Sequence, residues 1–477
     1  MSDRRVLFWH RRDLRLVDNM GVIEARARSA QIVGVFCLDS ALLAADDVAP
    51  ARLKYMLGSL AELEIQYAKA GSQLLIVQGN PVQCLPRLAE SLKAEAVYWN
   101  LDVEPYAQTR DAKVSEALRS HNIAPVQTWD QLLHRPGEVL TKSKGEPYTV
   151  FTPFWKNWRV QEKRAALPAP QGLQGLTEGE KTAVAEVEVI PLPTLSDLGR
   201  SWSAELPLSP GTHAATDQLA FFCDRALLSY QEQRNFPGTE GTSLLSAALK
   251  FGVIGVRTIW SAAAVAYEQA RSDEARTNIQ TWQQELCWRE FYQHALYFFP
   301  QLAEKPYRSD FEAFIWDDDQ ARFEAWCAGQ TGYPIVDAAM RQLNETGWMH
   351  NRCRMIVASF LTKDLLLDWR WGERYFMQTL VDGDLASNNG GWQWSASCGL
   401  DPKPLRIFNP AAQAQKFDPD AEYIRQWLPE LRSADTQVLV TGKIPSVVCD
   451  RLGYPTPIVE HKKQQQVFKE RYKNLKK

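Results

Sequence analysis

Residues 346–397 read TGWMHNRCRMIVASFLTKDLLLDWRWGERYFMQTLVDGDLASNNGGWQWSAS, and the carboxyl-terminal half of the chain is organised around them. Five of the seventeen tryptophans lie in this stretch, beside arginines, asparagines and paired aspartates. Arginine and aspartate are rarely buried unless they are paired, so this mixture does not suit a plain apolar core. The stretch therefore predicts the wall of a large cofactor site.

Length and composition limit the possibilities around this stretch. A chain of 477 residues exceeds one ordinary hydrophobic core, so two or three domains are expected. The formal net charge of -3 does not indicate a nucleic-acid partner, although a small net charge can conceal a basic face. The cysteines form no C-x-x-C pair and the histidines no H-E-x-x-H motif, so neither a disulfide framework nor a metal site is predicted. The sequence shows no signal peptide and no membrane span, and we expect a cytoplasmic monomer.

The first 130 residues alternate short apolar runs with amphipathic segments. The clearest helix covers residues 51–70, with Pro50 at its start and Gly71 placed to cap its end. Strands that alternate with helices predict a doubly wound parallel sheet. The loop after the first strand, HRRDLRL, lacks the G-x-G-x-x-G pattern, which disfavours a conventional dinucleotide site. The predicted strands cover residues 6–10, 31–39, 73–79, 96–100 and 125–130.

The rest of the chain divides into a connector and a second domain. Residues 131–210 contain nine prolines and no sustained periodicity, which predicts a long connector wrapped on the surface. Residues 211–477 show apolar positions at helical spacing and predict an all-helical domain. Its basic end, residues 461–477, is predicted to form a solvated helix. The other predicted helices cover residues 213–230, 256–269, 274–299, 334–347, 351–368 and 371–380.

The segment 230–246, YQEQRNFPGTEGTSLLS, is the first candidate site in the helical domain. Gly241, Thr242 and Ser243 precede an apolar run as residues do at a helix start. Exposed N–H groups and hydroxyls there can bind a phosphate, or the same residues can form an ordinary helix cap.

The segment from Glu274, EARTNIQTWQQELCWREFYQHALYFF, is the second candidate. Flat aromatics beside charged groups suit a site that receives an extruded base, whereas an aromatic stripe alone is more typical of a core. The side chains that share one side of this helix are Trp282, Glu285, Trp288 and Arg289.

The opening stretch is the third candidate. Asn351, Arg354 and Met355 share one helix face, and VDGDLASNNGG supplies two aspartates with a glycine-rich turn. An Arg354–Asp382 pair is either a buried structural ion pair or part of a cofactor site.

Seven motifs, in order and over essentially the whole chain, resemble the photolyase and cryptochrome family. They are WHRRDLRLVDN, GTSLLS, WQQELCWREFY, TGYPIVDAAMRQL, TGWMHNRCRM, DGDLASNNGGWQW and RIFNP. Within the family the chain most resembles the bacterial class I photolyases that act on cyclobutane pyrimidine dimers. The resemblance implies a light-dependent lyase that repairs ultraviolet-damaged DNA, with FAD in the helical domain and an antenna chromophore in the α/β domain. Excited reduced FAD would give an electron to the extruded dimer and recover it after the ring splits.

The same resemblance implies a role for individual residues. The implied FAD contacts are Tyr230, Thr242, Ser243, Leu244, Leu245, Ser246, Arg354, Asp382, Gly383, Asp384 and Asn388, the last facing flavin N5. The implied lesion contacts are Glu285, Asn351 and Met355, with Trp288 and Trp394 as aromatic walls. The implied path for electrons from the surface to oxidised flavin is Trp316, Trp369 and Trp392. The implied contacts to the DNA backbone or the lesion mouth are Arg234, Arg352, Arg406 and Gln413.

Two alternatives within the family remain. Photolyases of the (6-4) type carry histidines at the positions of Asn351 and Met355, and this departure favours the cyclobutane dimer as substrate. Many cryptochromes replace the residue matching Asn388 by Asp or Cys, whereas this chain keeps the asparagine. A light sensor without repair activity is nevertheless the alternative function.

The antenna is also implied by the resemblance alone. Family members bind 5,10-methenyltetrahydrofolate or 8-hydroxy-5-deazaflavin in this region, and the pattern favours the deazaflavin, although FMN or an empty pocket is also compatible. The implied antenna residues are Cys37, Leu38, Arg52, Asp102, Glu104 and Lys250.

Overall fold

A computed structural model describes residues 4–185, 189–400 and 405–475. Within these ranges no helix is long and apolar enough to cross a membrane. The amino-terminal domain is built on a six-stranded sheet of spatial order β5-β4-β1-β2-β3-β6, parallel except for the antiparallel edge strand β6. The strands are β1 (Val6–His10), β2 (Ile32–Asp39), β3 (Leu74–Gly79), β4 (Ala96–Asn100), β5 (Ala124–Thr128) and β6 (Val189–Ile190). The predicted doubly wound parallel sheet is confirmed.

Helices cover both faces of this sheet. Phe8 of β1 packs in one hydrophobic cluster and its neighbours Leu7 and Trp9 pack in another, because successive side chains of a strand point to opposite faces. Burial on both faces explains why β1, β2 and β4 are nearly continuous apolar runs. The helices are α1 (Met20–Arg28), α2 (Ser40–Leu43), α3 (Pro50–Ala70), α4 (Pro81–Ser91) and α5 (Pro105–Ser120).

Residues 131–210, which were predicted to form a surface connector without sustained periodicity, contain regular structure. It forms α6 (Phe151–Trp158), α7 (Glu178–Ala185) and strand β6. Helix α6 is strongly amphipathic and buries four aromatic side chains against the helical domain. Helix α6 thus packs in a core with the helical domain, whereas α7 and β6 pack on the amino-terminal domain, so these parts of the connector are not loose surface segments.

The second domain is helical, as predicted. Helix α11 has the predicted bounds. The helix predicted over residues 351–368 ends at Lys363, and the left-handed conformation of Leu366, with φ of 59°, prevents it from continuing to residue 368. The helices are α8 (Thr212–Arg225), α9 (Tyr230–Gln233), α10 (Ser246–Phe251), α11 (Val256–Gln269), α12 (Asp273–Phe298), α13 (Gln320–Cys327), α14 (Pro334–Thr346), α15 (Asn351–Lys363), α16 (Trp369–Thr379), α17 (Leu385–Ala396), α18 (Pro410–Phe417), α19 (Glu422–Trp427), α20 (Thr436–Thr441), α21 (Ser446–Leu452) and α22 (His461–Asn474).

A buried ion network joins the two domains. Arg257 of α11 contacts Asp18 at 2.7 Å and Asp130 at 2.5 Å, and Arg15 contacts Asp130 at 2.6 Å. These charges are buried, so each requires its partners to offset the cost of leaving water. The network fixes the loop after β1 against the helical domain, next to the cavities described below.

Candidate functional site

Two adjoining cavities lie in the helical domain. The larger, of about 550 Å³, is lined by residues of α12, α15, α16 and α17, and the smaller, of about 260 Å³, extends toward α9 and α10. Both are lined by Glu285, Arg289, Arg354 and Asp382, so the two cavities meet at these residues. The segments that the sequence singled out therefore meet in three dimensions.

The smaller cavity brings together most of the predicted phosphate and ribityl contacts. Leu244 of this segment does not line the cavity and has a left-handed φ of 54°, which turns the chain into α10. Lys250, predicted as an antenna residue, also lines this cavity. The other residues of the predicted segment that line it are Tyr230, Thr242, Ser243, Leu245 and Ser246.

Arg354 and Asp382 form the predicted ion pair at the junction of the cavities. The Arg354 guanidinium donates to Asp382 Oδ2 at 2.8 Å, whereas the buried Oδ1 has no hydrogen-bond partner among the described residues. A buried carboxylate oxygen without a donor is costly, so Oδ1 is placed to accept from a bound polar group. The N–H and O–H donors of FAD meet that requirement, and the residues present fit this cofactor.

Asp384 has a different environment from Asp382. It caps α17 by accepting a hydrogen bond from the Ser387 N–H at 2.9 Å, and it also pairs with Arg12. Burial opposes ionisation, but the positive charges of Arg12, Lys250 and Arg289 lower the pKa of Asp384 well below its ordinary value. Asp384 is therefore an ionised anchor for the start of α17.

The next turns of α17 present small or neutral groups to the larger cavity. The Asn388 amide lines the cavity and donates to the Glu373 carbonyl at 3.0 Å, which holds the amide in one orientation. A Cβ atom at Gly391 would meet nothing within 4 Å, so a side chain there would project into free space beside the cavity. Gly383 also lines the cavity, and a Cβ atom there would lie 2.1 Å from the Arg52 guanidinium.

The predicted lesion contacts line the larger cavity together. Glu285 is held by Arg234, whose guanidinium donates to its carboxylate at 2.5 Å. Helices α12, α15 and α17 thus supply aromatic, acidic and amide groups to one space. The predicted lesion residues in the lining are Glu285, Trp288, Asn351, Met355 and Trp394.

The three tryptophans predicted as an electron path lie in one hydrophobic cluster. Trp392 lines the larger cavity and is 2% exposed, and its buried Nε1 has no partner among the described residues. Trp369 is buried, and Trp316 lies partly exposed at the edge of the cluster. The cluster extends from the cavity toward the surface, and its role in electron transfer stays a prediction.

Arginines surround the mouth of the larger cavity. Arg234, Arg352 and Arg406 all line it, and burial with the charges of Arg234 and Arg406 lowers the pKa of Arg352. Arg352 lies over the Phe417 ring at 4.3 Å, and the Oε1 atom of Gln413 is buried without a partner among the described residues. Three guanidinium groups thus form a basic rim on a protein whose net charge is negative.

Four of the predicted antenna residues lie where the two domains meet. Arg12 contacts Glu104 at 2.5 Å and Asp102 at 3.4 Å, and Lys250 contacts Glu104 at 3.4 Å. Arg52 donates to the Leu380 backbone carbonyl, directly after α16, at 3.5 Å. Arg12 therefore joins the acidic groups after β4 to Asp384 in the helical domain.

Cys37 and Leu38 are buried near the carboxyl end of β2. Close by, the Tyr106 hydroxyl donates to Asp39 at 2.7 Å, and the Arg110 guanidinium lies 5.5 Å from the Tyr106 ring. Doubly wound sheets bind ligands at this edge. The position suits a second ligand but does not identify it.

Arg12 was not predicted as a site residue, and Arg289 was named in the second candidate segment without a role. Arg289 lines both cavities and donates to the Gln131 carbonyl at 2.9 Å. Its place on the same helix side as Glu285 and Trp288 was the signal that singled it out. Arg12 carried no such signal, because its partner Asp384 lies 372 residues away.

Comparison with known proteins gives matches over most of the chain. Residues 6–171 match the family model described as DNA photolyase, and residues 282–474 match that described as the FAD binding domain of DNA photolyase. The deoxyribodipyrimidine photo-lyase of Synechococcus sp. is 58% identical, and the alignment covers 99% of this chain and 97% of the relative. The enzyme of the same name from Escherichia coli is 40% identical, with 96% of each chain covered.

Solved structures agree with this similarity. A class III photolyase from Agrobacterium tumefaciens has a TM-score of 0.88 at 36% identity, covering 100% of this chain and 98% of that one. A cryptochrome from Synechocystis sp. has a TM-score of 0.88 at 29% identity, covering 98% of this chain and 100% of that one.

Proposed function

The chain belongs to the DNA photolyase family, and from this premise we infer that the protein is a light-dependent deoxyribodipyrimidine lyase that repairs cyclobutane pyrimidine dimers in DNA. The observation that carries the inference is the pair of adjoining cavities: the smaller is lined by Thr242, Ser243 and Ser246, and the larger by Trp288 and Trp394. The Arg354–Asp382 pair and Glu285 line both. A cofactor and an extruded pyrimidine dimer can therefore lie in contact.

The chain binds FAD in the helical domain. We propose that Thr242, Ser243 and Ser246 hold its phosphate and ribityl groups, while Asp382 Oδ1 accepts from a polar hydrogen of the cofactor. Reduced FAD, when bound, supplies the light-excited electron that splits the cyclobutane ring and receives it back. The Arg354–Asp382 pair fixes the orientation of the ring system at low cost, because Asp382 is already buried and held by Arg354 before the cofactor binds.

The residues of the larger cavity are proposed to bind the extruded dimer. Trp288 and Trp394 offer flat apolar faces to the two bases, a contact worth about 1–3 kcal/mol per base. Glu285, held in place by Arg234, can accept a hydrogen bond from a thymine N–H, and the Asn351 amide can both donate and accept. Met355 fills the adjoining surface with a flexible apolar group.

The basic rim is proposed to bind the DNA backbone. Arg234, Arg352 and Arg406 can neutralise phosphates around the cavity mouth, which gives salt-dependent affinity without reading sequence. Gln413 on α18 is proposed as a further contact at this mouth.

We propose 8-hydroxy-5-deazaflavin as the antenna, bound by residues of the domain 1–130 and by Lys250, with 5,10-methenyltetrahydrofolate as the alternative. The polar groups at the carboxyl edge of the sheet support a ligand there. The absorption spectrum of protein purified from its native host distinguishes the two chromophores.

We further propose that the protein is a cytoplasmic monomer. Its eight free thiols suit a reducing compartment. In this proposal residues 131–210 connect the antenna domain to the FAD- and DNA-binding domain 211–477.

The experiment that tests the proposed function is illumination of the reduced protein with blue light in the presence of an oligonucleotide that carries one thymine dimer. We expect two intact thymines to be restored in the light and none in the dark. Absence of repair, together with normal photoreduction of the flavin, would instead support a light sensor, the second candidate favoured by the similarity to the Synechocystis cryptochrome.

A further inference from the structure

The connector contacts the lesion side of the cavity through one aromatic pair. The ring of Phe151, in the first turn of α6, stacks on the Trp288 indole with 3.6 Å between centroids and 6° between planes. Phe151 is 6% exposed, and Trp288 lines the larger cavity. A residue far from the helical domain in sequence therefore covers one face of a lesion-facing tryptophan.

The two residues that follow Trp288 in α12 are also held by the connector. Arg289 donates to the Gln131 carbonyl at 2.9 Å. Glu290 is fully buried. Its carboxylate accepts hydrogen bonds from the Trp158 indole N–H at 2.6 Å and from the backbone N–H groups of Leu133 and His134. Three successive residues of α12 thus have their side chains fixed by the same connector.

The remaining contacts of the Trp288 ring restrict its rotation further. Phe291 meets its edge with 5.6 Å between centroids and 84° between planes, and Tyr292 lies 5.6 Å away on the same helix. With Phe151 against the ring face, rotation of the indole would break the aromatic stack, a contact that stabilises beyond the area that it buries. An aromatic wall that is already ordered before DNA arrives loses little side-chain entropy on binding.

We propose that Phe151 is a positioning residue of the lesion site. It holds Trp288 in the orientation that contacts the extruded dimer, and it thereby increases the preference for dimer-containing over undamaged DNA. This inference rests on the proposed function. Phe151 acts through Trp288 and does not itself reach the reacting atoms.

The chain offers a matched control one turn along the same helix. Phe154 is 1% exposed, and its ring packs on Phe291 at 5.4 Å and on His294 at 5.3 Å. Phe154→Ala therefore removes a comparable buried side chain from α6 and leaves the Phe151–Trp288 stack. Phe151→Tyr keeps the stacked ring, whereas Phe151→Leu keeps an apolar side chain but removes the aromatic face.

The test is binding in the dark of the FAD-loaded wild type and variants to duplexes with and without one thymine dimer, at one salt concentration. We expect Phe151→Ala and Phe151→Leu to lower the ratio of the two affinities about two- to tenfold, with binding to undamaged DNA and the flavin spectrum unchanged. Phe154→Ala and Phe151→Tyr should keep the wild-type ratio. In repair, the same loss should appear in KM and not in kcat at saturating DNA.

Two results would overturn the inference: an unchanged ratio in Phe151→Leu, or an equal loss in Phe154→Ala. Phe151→Leu decides the matter even where the alanine variant fails to fold or to retain FAD. A wild-type protein that shows no preference for the dimer would instead overturn the proposed function, so the two failures are distinguishable.

Discussion

The Trp392 indole lies against the backbone of α16 at Gly372, where a Cβ atom would stand 2.1 Å from the indole Cη2 atom. Only glycine permits this approach without displacing the ring. Because α16 begins with Trp369, one helix carries both the surface on which Trp392 packs and the next tryptophan of the predicted electron path.

Trp392→Phe is predicted to abolish photoreduction of oxidised FAD and to leave repair by chemically reduced enzyme largely intact. Phenylalanine fills most of the site but is not oxidised as an indole is, and we expect the free energy of unfolding to fall by about 1–3 kcal/mol. Flavin absorbance during illumination and a separate repair assay measure the two activities. Trp9→Phe is the control, because it alters a buried indole in the sheet domain and should keep both activities. Equal loss of photoreduction and repair in Trp392→Phe would show that Trp392 has a purely structural role.

Asp382→Asn is predicted to weaken FAD binding. The substitution removes the charge of Asp382, whose Oδ1 is proposed to accept from the cofactor, and leaves the partly desolvated Arg354 guanidinium without its carboxylate partner. We expect a loss of about 2–5 kcal/mol, or about 30-fold or more in the dissociation constant. Fluorescence of released flavin measures this constant. Asp368→Asn, which alters the cap of α16 outside the cavity lining, should retain FAD; retention by Asp382→Asn as well would contradict the assigned role.

Arg352→Ala is predicted to weaken binding to damaged and undamaged DNA alike. Loss of one phosphate contact should reduce the slope of log affinity against log salt by about 1. Titrations at several salt concentrations measure the slope. Arg432→Ala, at an exposed site outside the cavity lining, is the control, and unchanged binding of Arg352→Ala at low salt would exclude the role.

Lys363 predicts a pH dependence of stability. It is 1% exposed, its ammonium donates to the Arg406 backbone carbonyl, and burial lowers its pKa from 10.5 to about 7. Between these values the unfolded chain binds more protons than the folded one, so the free energy of unfolding should rise with pH, by up to about 1.4 kcal/mol per pH unit. Urea unfolding at pH 7.5 and at pH 9.5 should show this slope in the wild type.

Lys363→Met is predicted to remove that rise, because methionine fills the site without a titrating group. The exposed Lys463→Met is the control and should keep the wild-type slope. A slope that is the same in Lys363→Met would place the titrating group elsewhere.

The sequence predicted those strands and helices whose apolar pattern extends over many residues of a single segment. The buried parallel strands β1, β2 and β4 and helix α11 were of this kind, since a run buried on both faces or a sustained helical stripe is visible without its neighbours. Strand β6 was missed because two residues carry no period. Helix α6 was missed because its aromatic face packs on α11 and α12, about a hundred residues later or more.

The same distinction holds for the candidate site. The helix spacing of Asn351, Arg354 and Met355 placed them on one face, and all three line the larger cavity. The contact of Arg12 with Asp384 and the stack of Phe151 on Trp288 depend on how the domains pack, which no local pattern encodes.

A crystal structure of the FAD-loaded protein bound to a duplex with one thymine dimer would test the central claim most directly. We predict that the dimer lies outside the base stack, between Trp288 and Trp394, with a thymine N–H about 3 Å from the Glu285 carboxylate. A dimer that remains stacked within the duplex, or that docks away from this cavity, would contradict the proposed site.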